Sequence, residues 1–92
     1  MNKIEYLLRR FATEYSNWKN ASYWEVELIK YGTVWYFYSR LLRKGLAPAD
    51  LMGIQFAAEK TESGRIHSGD EVDCEIKKLV AIIRLGKKGQ AK

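Results

Sequence analysis

The most constraining feature of this 92-residue chain is the segment from Ser22 to Lys44, which holds most of its aromatic side chains. Two of the three tryptophans and four of the six tyrosines fall within it. Because the rest of the chain has far less aromatic surface, we expect the other elements to pack around this segment and keep it out of water. The segment is therefore predicted to be the element around which the domain is organised.

Two structures compete for this segment. Its composition is typical of strands, and residues 23–39 would then form a β-hairpin. The spacing of its apolar residues is instead typical of an α-helix, because they recur at intervals of three and four and would line a core-facing stripe. The residues of that stripe are Trp24, Leu28, Tyr31, Trp35, Tyr38 and Leu42.

The ends of the segment favour the helix. Ser22 and Glu25 have the spacing of a capping box, in which each side chain bonds to a free backbone N–H of the first turn. Gly45 is suited to the left-handed conformation that closes many helices. We therefore predict a helix over residues 22–44, about 34 Å long at about 1.5 Å per residue. An α+β fold with residues 23–39 as a hairpin is the alternative.

Apolar periodicity predicts three further helices, over about residues 2–18, 48–61 and 69–86. The short connections between successive helices imply antiparallel neighbours. The sequence therefore predicts an all-α fold, a compact four-helix up-down bundle.

The fourth helix carries its own end signals. Ser68 and Glu71 form a second potential capping box, and Gly86 is the predicted end of the helix. Residues 1–86 would then make a single helical domain, and residues 87–92 a mobile basic tail.

Composition limits the class of protein. Hydrophobic content of 47% with 29% charged residues is typical of a globular domain. No apolar run approaches the roughly 20 residues of a membrane span, and the first residues lack the pattern of a signal peptide. A single cysteine suits a reducing compartment. We therefore expect a soluble cytoplasmic protein with no membrane partner.

The net charge of +5 is unevenly distributed. The first 83 residues carry twelve basic and eleven acidic side chains, so the surplus lies near the C-terminus. An up-down bundle would bring three separate basic segments to one end and most of the acidic residues to the other. Matching of the helix dipoles explains part of this pattern. The convergence of the basic segments predicts contacts to nucleic-acid phosphates from Lys3, Arg40, Arg43, Lys44, Arg84, Lys87 and Lys88.

The sequence predicts no catalytic residues, no metal site and no cofactor. His67 and Cys74 are the only histidine and cysteine, too few for a structural zinc site, and Cys74 is expected to be a half-buried, inert thiol. The run Gly86-Lys87-Lys88-Gly89 lacks the upstream glycine and the Ser or Thr of a phosphate-binding loop. No small-molecule substrate is evident.

Residues 46–58 resemble a helix-turn-helix, with Gly53 at the position of the turn and Ala57-Ala58 in the second helix. The first helix would be about a turn too short, and residues 55–60 contain one basic and one acidic side chain. The alternative is one continuous core helix.

The aromatic helix has more apolar surface than three thin neighbours would cover. We therefore expect a protein partner or a homodimer to bind the apolar residues outside the main stripe. These predicted interface residues are Val26, Ile29, Tyr36 and Phe37.

Two functions follow as hypotheses for a small non-enzymatic regulatory or accessory protein. The first is binding of DNA or RNA through the basic end of the bundle. The alternative is a protein-binding adaptor or inhibitor, of the type that phages direct at host proteins, acting through residues 22–44.

Overall fold

The computed structural model describes residues 3–20, 24–61 and 66–90, with the backbone alone described for residues 24–28 and 86–90. Every regular element in these ranges is a helix, which confirms the predicted all-α four-helix fold and excludes the hairpin. The helices are α1 (Lys3–Lys19), α2 (Trp24–Arg43), α3 (Pro48–Glu59) and α4 (Glu71–Gln90).

Contacts along α1 show the direction of α2. The ring of Trp18 lies 5.3 Å from that of Tyr31, and the ring of Phe11 lies 5.8 Å from that of Tyr38, between centroids. The contact positions therefore run in opposite directions along the two helices, and α2 is antiparallel to α1.

The two remaining helices continue the alternation. At the end of α1, Ser16 Oγ donates to the carbonyl oxygen of Thr61, just beyond α3, at 2.7 Å. The start of α4 lies beside the middle of α1, where Arg9 Nη1 donates to Asp73 Oδ1 at 2.8 Å. Thus α3 runs parallel to α1, and α4 runs back towards the start of α1.

The central helix of the bundle is α1, not α2. Helix α1 contacts all three other helices, whereas α2 packs chiefly on α1 and touches α3 and α4 only weakly. Two small residues of α1, Ala12 and Ser16, are fully buried and let neighbouring backbones approach. The prediction that the chain is organised around residues 22–44 is therefore wrong.

The buried face of α2 also differs from the predicted stripe. The helix buries Val34, Phe37 and Leu41, while Tyr31 and Trp35 are about half exposed. Both sets have helical spacing, so periodicity alone did not distinguish them. Because α2 packs fully against only one helix, it buries a narrow face, and the aromatic stripe lies at the edge of that face.

The start of α4 is capped by Asp70, not by Ser68. The Oδ1 atom of Asp70 accepts a hydrogen bond from the backbone N–H of Asp73 at 2.8 Å, and its Oδ2 accepts one from the N–H of His67 at 2.7 Å. Gly69, with a φ of 87°, makes the turn that places Asp70 at this position. The predicted capping box at Ser68 is therefore wrong.

Two other predicted helix ends have different outcomes. Helix α4 continues through Gly86 to Gln90, so the predicted end at Gly86 is wrong. An interior glycine costs only about 1 kcal/mol relative to alanine, and the lysines that follow Gly86 have high helix propensity, so the helix can continue through it. The predicted cap Ser22 lies outside the described residues.

Helix α3 is continuous through Gly53, so residues 46–58 do not form a helix-turn-helix. The glycine has a packing role, because the carboxylate of Glu75 from α4 lies against it. A Cβ atom at this position would be 2.5 Å from Glu75 Oε1. The interior glycine is therefore part of a continuous helix with the end of the Glu75 side chain beside it, and does not mark a turn.

Candidate functional site

The helix directions bring the start of α1, the end of α2 and the last turns of α4 to the same end of the bundle. We call this region the basic end; its described cationic residues are Lys3, Arg40, Arg43, Lys44 and Arg84. Lys87 and Lys88 belong to α4 at the same end, but their side chains lie outside the described residues.

The end of α2 is held in a fixed geometry by a Schellman motif. The N–H of Leu46 donates to the carbonyl oxygen of Leu41 at 3.3 Å, and the N–H of Gly45 donates to that of Leu42 at 3.0 Å. Gly45 has a φ of 98°, which confirms its predicted role, and the side chains of Leu41 and Leu46 are buried. The basic last turn of α2 is therefore anchored in the core.

Three cations of that turn surround one shallow concavity. Arg40, Arg43 and Lys44 line a surface pocket of about 180 Å³. The guanidinium carbon of Arg40 lies 5.7 Å from the ring centroid of Tyr36, a cation–π contact that restrains the side chain. Three cationic residues beside one open concavity give this part of the surface a positive potential, which attracts anions such as phosphate.

Cations elsewhere in the described chain are neutralised by carboxylates, but those of the basic end are not. Among the described residues, Lys3, Arg40, Arg43, Lys44 and Arg84 make no salt bridge. Asp50, at the start of α3, is in none of the salt bridges of the described residues; its carboxylate instead accepts a hydrogen bond from the N–H of Ala47 at 2.7 Å. The paired cations are Arg9 with Glu5 and Asp73, Arg10 and Lys30 with Glu14, Lys19 with Glu59, Lys60 with Glu71, Lys77 with Asp73, and Lys78 with Glu75.

The different pairing of the cations at the two ends explains why the basic end is the more strongly charged surface of the described chain. Among the described acidic residues of the other end, Glu14, Glu59, Glu71, Asp73 and Glu75 each form an ion pair. The positive groups of the basic end have no such partners among the described residues, and their field extends into solvent within a screening distance of about 8 Å at physiological salt.

Beside the basic end, α2 exposes a surface that faces away from its buried residues. We call it the outer face of α2; helical geometry places Gly32, Trp35, Tyr36, Ser39 and Arg43 on it. Trp35 and Tyr36 are 55% and 56% exposed, and Gly32 has open space around its Cα atom. Aromatic rings and a cation therefore share one accessible helix surface.

The four predicted partner-interface residues have different outcomes. Ile29 and Tyr36 are exposed, at 68% and 56%. Phe37 is only 7% exposed and lies under the guanidinium group of Arg10, whose carbon is 4.8 Å from the ring centroid. Its assignment to an interface is therefore wrong, because Phe37 packs on α1. The side chain of Val26 lies outside the described residues.

Sequence reasoning missed Trp35 as a surface residue. The stripe of Val34, Phe37 and Leu41 was the available signal, since its spacings of three and four residues compete with those of the aromatic stripe. Burial of that second stripe turns Trp35 outward.

The indole of Trp35 packs against other aromatic rings on its inner side. It stacks on Tyr38 with centroids 5.3 Å apart and an interplanar angle of 14°. Tyr38 in turn contacts the fully buried ring of Phe11, at 5.8 Å between centroids. One face of the indole is thus covered by Tyr38, and its exposure lies on the remaining surface of the ring.

Chemically reactive groups are few and separated. Among the described residues no group of three His, Cys, Asp or Glu side chains is arranged to hold a metal ion. His67 and Cys74 are both exposed, so the expectation of a half-buried Cys74 is wrong. Asp73 is buried, and its hydrogen bond from the Gly69 N–H, followed by contacts with Arg9 and Lys77, holds its pKa well below the usual range. A carboxylate so fully used in structural contacts is unsuited to general base catalysis.

The fold and the site define a small all-α protein in which the described cations of the basic end lack carboxylate partners and lie beside an exposed aromatic helix face. Comparison of the chain with protein-family models, with curated proteins and with solved structures finds no match in any of the three. Within the described ranges, no helix has both the length and the apolar character needed to cross a membrane.

Proposed function

We propose that the protein is a non-enzymatic nucleic-acid-binding protein whose basic end contacts phosphate groups. The observation that carries this proposal is the pairing pattern of the cations. The cations whose side chains are described outside the basic end all have carboxylate partners, whereas those described at that end have none. Side chains already paired would have to break a salt bridge to bind a phosphate, while unpaired ones would not.

The chemistry of such binding is electrostatic. Each phosphate that a Lys or Arg neutralises releases a condensed counterion, so affinity falls with salt concentration. With about four to six contacts, the slope of log K against log salt on duplex DNA would be about −4 to −5. The five described cations of the basic end, with Lys87 and Lys88 beyond them, are enough for that number.

The arrangement supports binding with little sequence preference. Direct reading of base edges in a duplex needs side chains placed within a groove, commonly by a recognition helix. Since α3 is a continuous core helix, this chain lacks the helix-turn-helix that would have supplied one. Contacts to phosphates position a protein on nucleic acid without reading the sequence.

The test is the salt dependence of binding to a DNA duplex of about 20 base pairs, measured by fluorescence anisotropy. Replacing Arg43 and Lys44 together by glutamine should weaken binding and make the slope shallower by about 2, with no change in sequence preference. The matched control replaces Lys19 and Lys60 by glutamine, which removes the same charge from paired, exposed positions. That control should bind nearly as the wild type does.

Equal weakening in both double variants would mean that only net charge matters and that the basic end is not a site. Absence of salt-dependent binding by the wild type would reject nucleic acid as the partner.

A protein partner is the second candidate function, supported by the exposure of Ile29 and Tyr36 on α2. Large apolar side chains exposed along one helix are typical of helix surfaces that bind another protein. In this case Ile29→Ser and Tyr36→Ser would abolish capture of the partner while Arg43→Gln would not. A homodimer would appear in sedimentation equilibrium as a mass that rises with concentration.

A further inference from the structure

Resting on the proposed nucleic-acid binding, we infer that the protein's preferred ligand is a single strand, with bases stacked on Trp35 and Tyr36 and phosphates on Arg43 and its basic neighbours. The observation behind this inference is that two rings, each more than half exposed, precede a cationic last turn on the same helix. The Trp35 ring contacts Tyr38 and the Tyr36 ring contacts Phe37, at 5.1 Å between centroids. The inference names the form of nucleic acid, which phosphate contacts alone do not specify.

The geometry of Trp35 favours a base over a general apolar partner. The indole lies nearly parallel to Tyr38, at 14°, and Tyr38 contacts the buried ring of Phe11. A ring fixed in this way presents a flat surface that need not be ordered on binding, so less side-chain entropy is lost. Nucleobases stack on such surfaces whatever their sequence, because every base has an aromatic face.

The residues between the rings leave room for that approach. Gly32 and Ser39 lie one turn to either side of the two aromatic positions, and a Cβ atom at Gly32 would meet nothing within 4 Å. The small side chains allow a flat ligand to come close to the helix.

The positive charge beside the exposed rings of α2 favours a single-stranded nucleic acid as the ligand of this face. Tyr36 and Arg43 are seven residues apart on the same line of the helix, which corresponds to about 10 Å along its axis. Arg40, one turn beyond Tyr36, lies against the Tyr36 ring at 5.7 Å and lines the basic pocket with Arg43 and Lys44. A helix surface with two exposed rings followed by a cationic last turn fits a polyanion with exposed bases, whereas in a duplex the base faces are already stacked on each other.

The experiment compares a thymidine single strand of about 20 nucleotides with a duplex of equal length at the same salt concentration. Affinity is measured by anisotropy, and the state of the indole by tryptophan fluorescence. We expect the single strand to bind about tenfold more tightly than the duplex and to quench part of the fluorescence. Since Trp35 is exposed, its variants should remain folded, which their circular dichroism would verify.

Two pairs of variants separate the contributions. Trp35→Leu keeps an apolar side chain but no ring, and should lose about tenfold in affinity for the single strand with little change for the duplex. Trp35→Phe keeps a ring, so it should retain most of that affinity while the quenched component disappears. Ser39→Glu should weaken single-strand binding by its charge, and the matched Ser39→Gln should not.

Equal affinity for single strand and duplex, unaffected by Trp35→Leu, would overturn this inference and leave the proposed phosphate binding intact. Failure to bind either form would reject both. A dimer that Trp35→Leu dissociates, in a protein that does not bind the single strand, would instead assign the outer face of α2 to a second copy of the chain.

Discussion

Arg9 of α1 and Asp73 of α4 form a salt bridge at 2.8 Å. The two residues are 64 positions apart in the chain, so this contact joins the first helix to the last. The Asp73 side chain is only 3% exposed, and it also accepts from the N–H of Gly69 at 2.9 Å and contacts Lys77 at 3.1 Å. One carboxylate therefore fixes both the start of α4 and the docking of α4 on α1.

Asp73 should make stability depend on pH in the acid range. The hydrogen bond from Gly69, then Arg9 and Lys77, lower its pKa in the folded state. A depressed folded pKa contributes stability above the unfolded value of about 3.9, and that stability is lost as pH falls below it. We expect Asp73→Asn to be less stable than the wild type at neutral pH, with the difference shrinking below about pH 4.

The measurement is urea unfolding at a series of pH values from about 2 to 7. Glu71→Gln serves as the control, since Glu71 forms only an exposed pair with Lys60 and should change stability by at most about 0.5 kcal/mol. A difference between wild type and Asp73→Asn that stays constant down to pH 2 would contradict this assignment.

Truncation of two adjacent aromatic residues of α2 should lower the free energy of unfolding by very different amounts. Phe37 is buried beneath Arg10, so Phe37→Ala should cost about 3–5 kcal/mol of unfolding free energy. Tyr36 is more than half exposed, although its ring touches Phe37 edge-on, and Tyr36→Ala should cost no more than about 1 kcal/mol. Chemical denaturation of the two variants measures the two losses. Similar losses would mean that α2 is rotated about its axis and does not bury the face of Val34, Phe37 and Leu41.

The sequence predicted the elements of the fold better than their arrangement. Helical periodicity and local signals such as Gly45 depend on residues close in the chain, and the helices they indicated are present within a few residues of their predicted bounds. Which helix is central depends on contacts across the chain. The small residues Ala12 and Ser16 allow three neighbours to reach α1, and such residues carry little weight in a search for apolar stripes.

The candidate site was predictable in part for the same reason. The positions of Arg40, Arg43 and Lys44 at a helix end follow from the chain order, so the sequence located them. The exposure of Trp35, and the lack of salt-bridge partners for these cations among the described side chains, depend on how the helices rotate against each other. Two stripes of equal spacing on α2 left that rotation undetermined until packing on α1 selected one.

Two glycines should show opposite effects when replaced by alanine. Gly53→Ala removes a helix-interior glycine, a gain of up to about 1 kcal/mol, and the flexible end of Glu75 can move away from the new methyl group. We expect a net gain of about 0.5 kcal/mol. Gly45→Ala forces an alanine into a φ of 98° and should cost about 1–2 kcal/mol. Thermal unfolding of both variants tests the pair, and destabilisation by Gly53→Ala would mean that Glu75 cannot move.

The junction between α1 and the end of α3 should behave as a coupled unit. The carbonyl oxygen of Thr61 accepts from Ser16 Oγ at 2.7 Å and from Asn20 Nδ2 at 3.1 Å. Either donor alone still satisfies this carbonyl, so Ser16→Ala and Asn20→Ala should each cost only about 1 kcal/mol. The double variant removes both donors and should cost about 0.5–1 kcal/mol more than the sum of the single effects.

A double-mutant cycle by urea unfolding measures this coupling, with the exposed pair Lys19→Ala and Lys60→Ala as a control expected to be additive. Strict additivity of Ser16 and Asn20 would mean that the Thr61 carbonyl does not link the two side chains energetically.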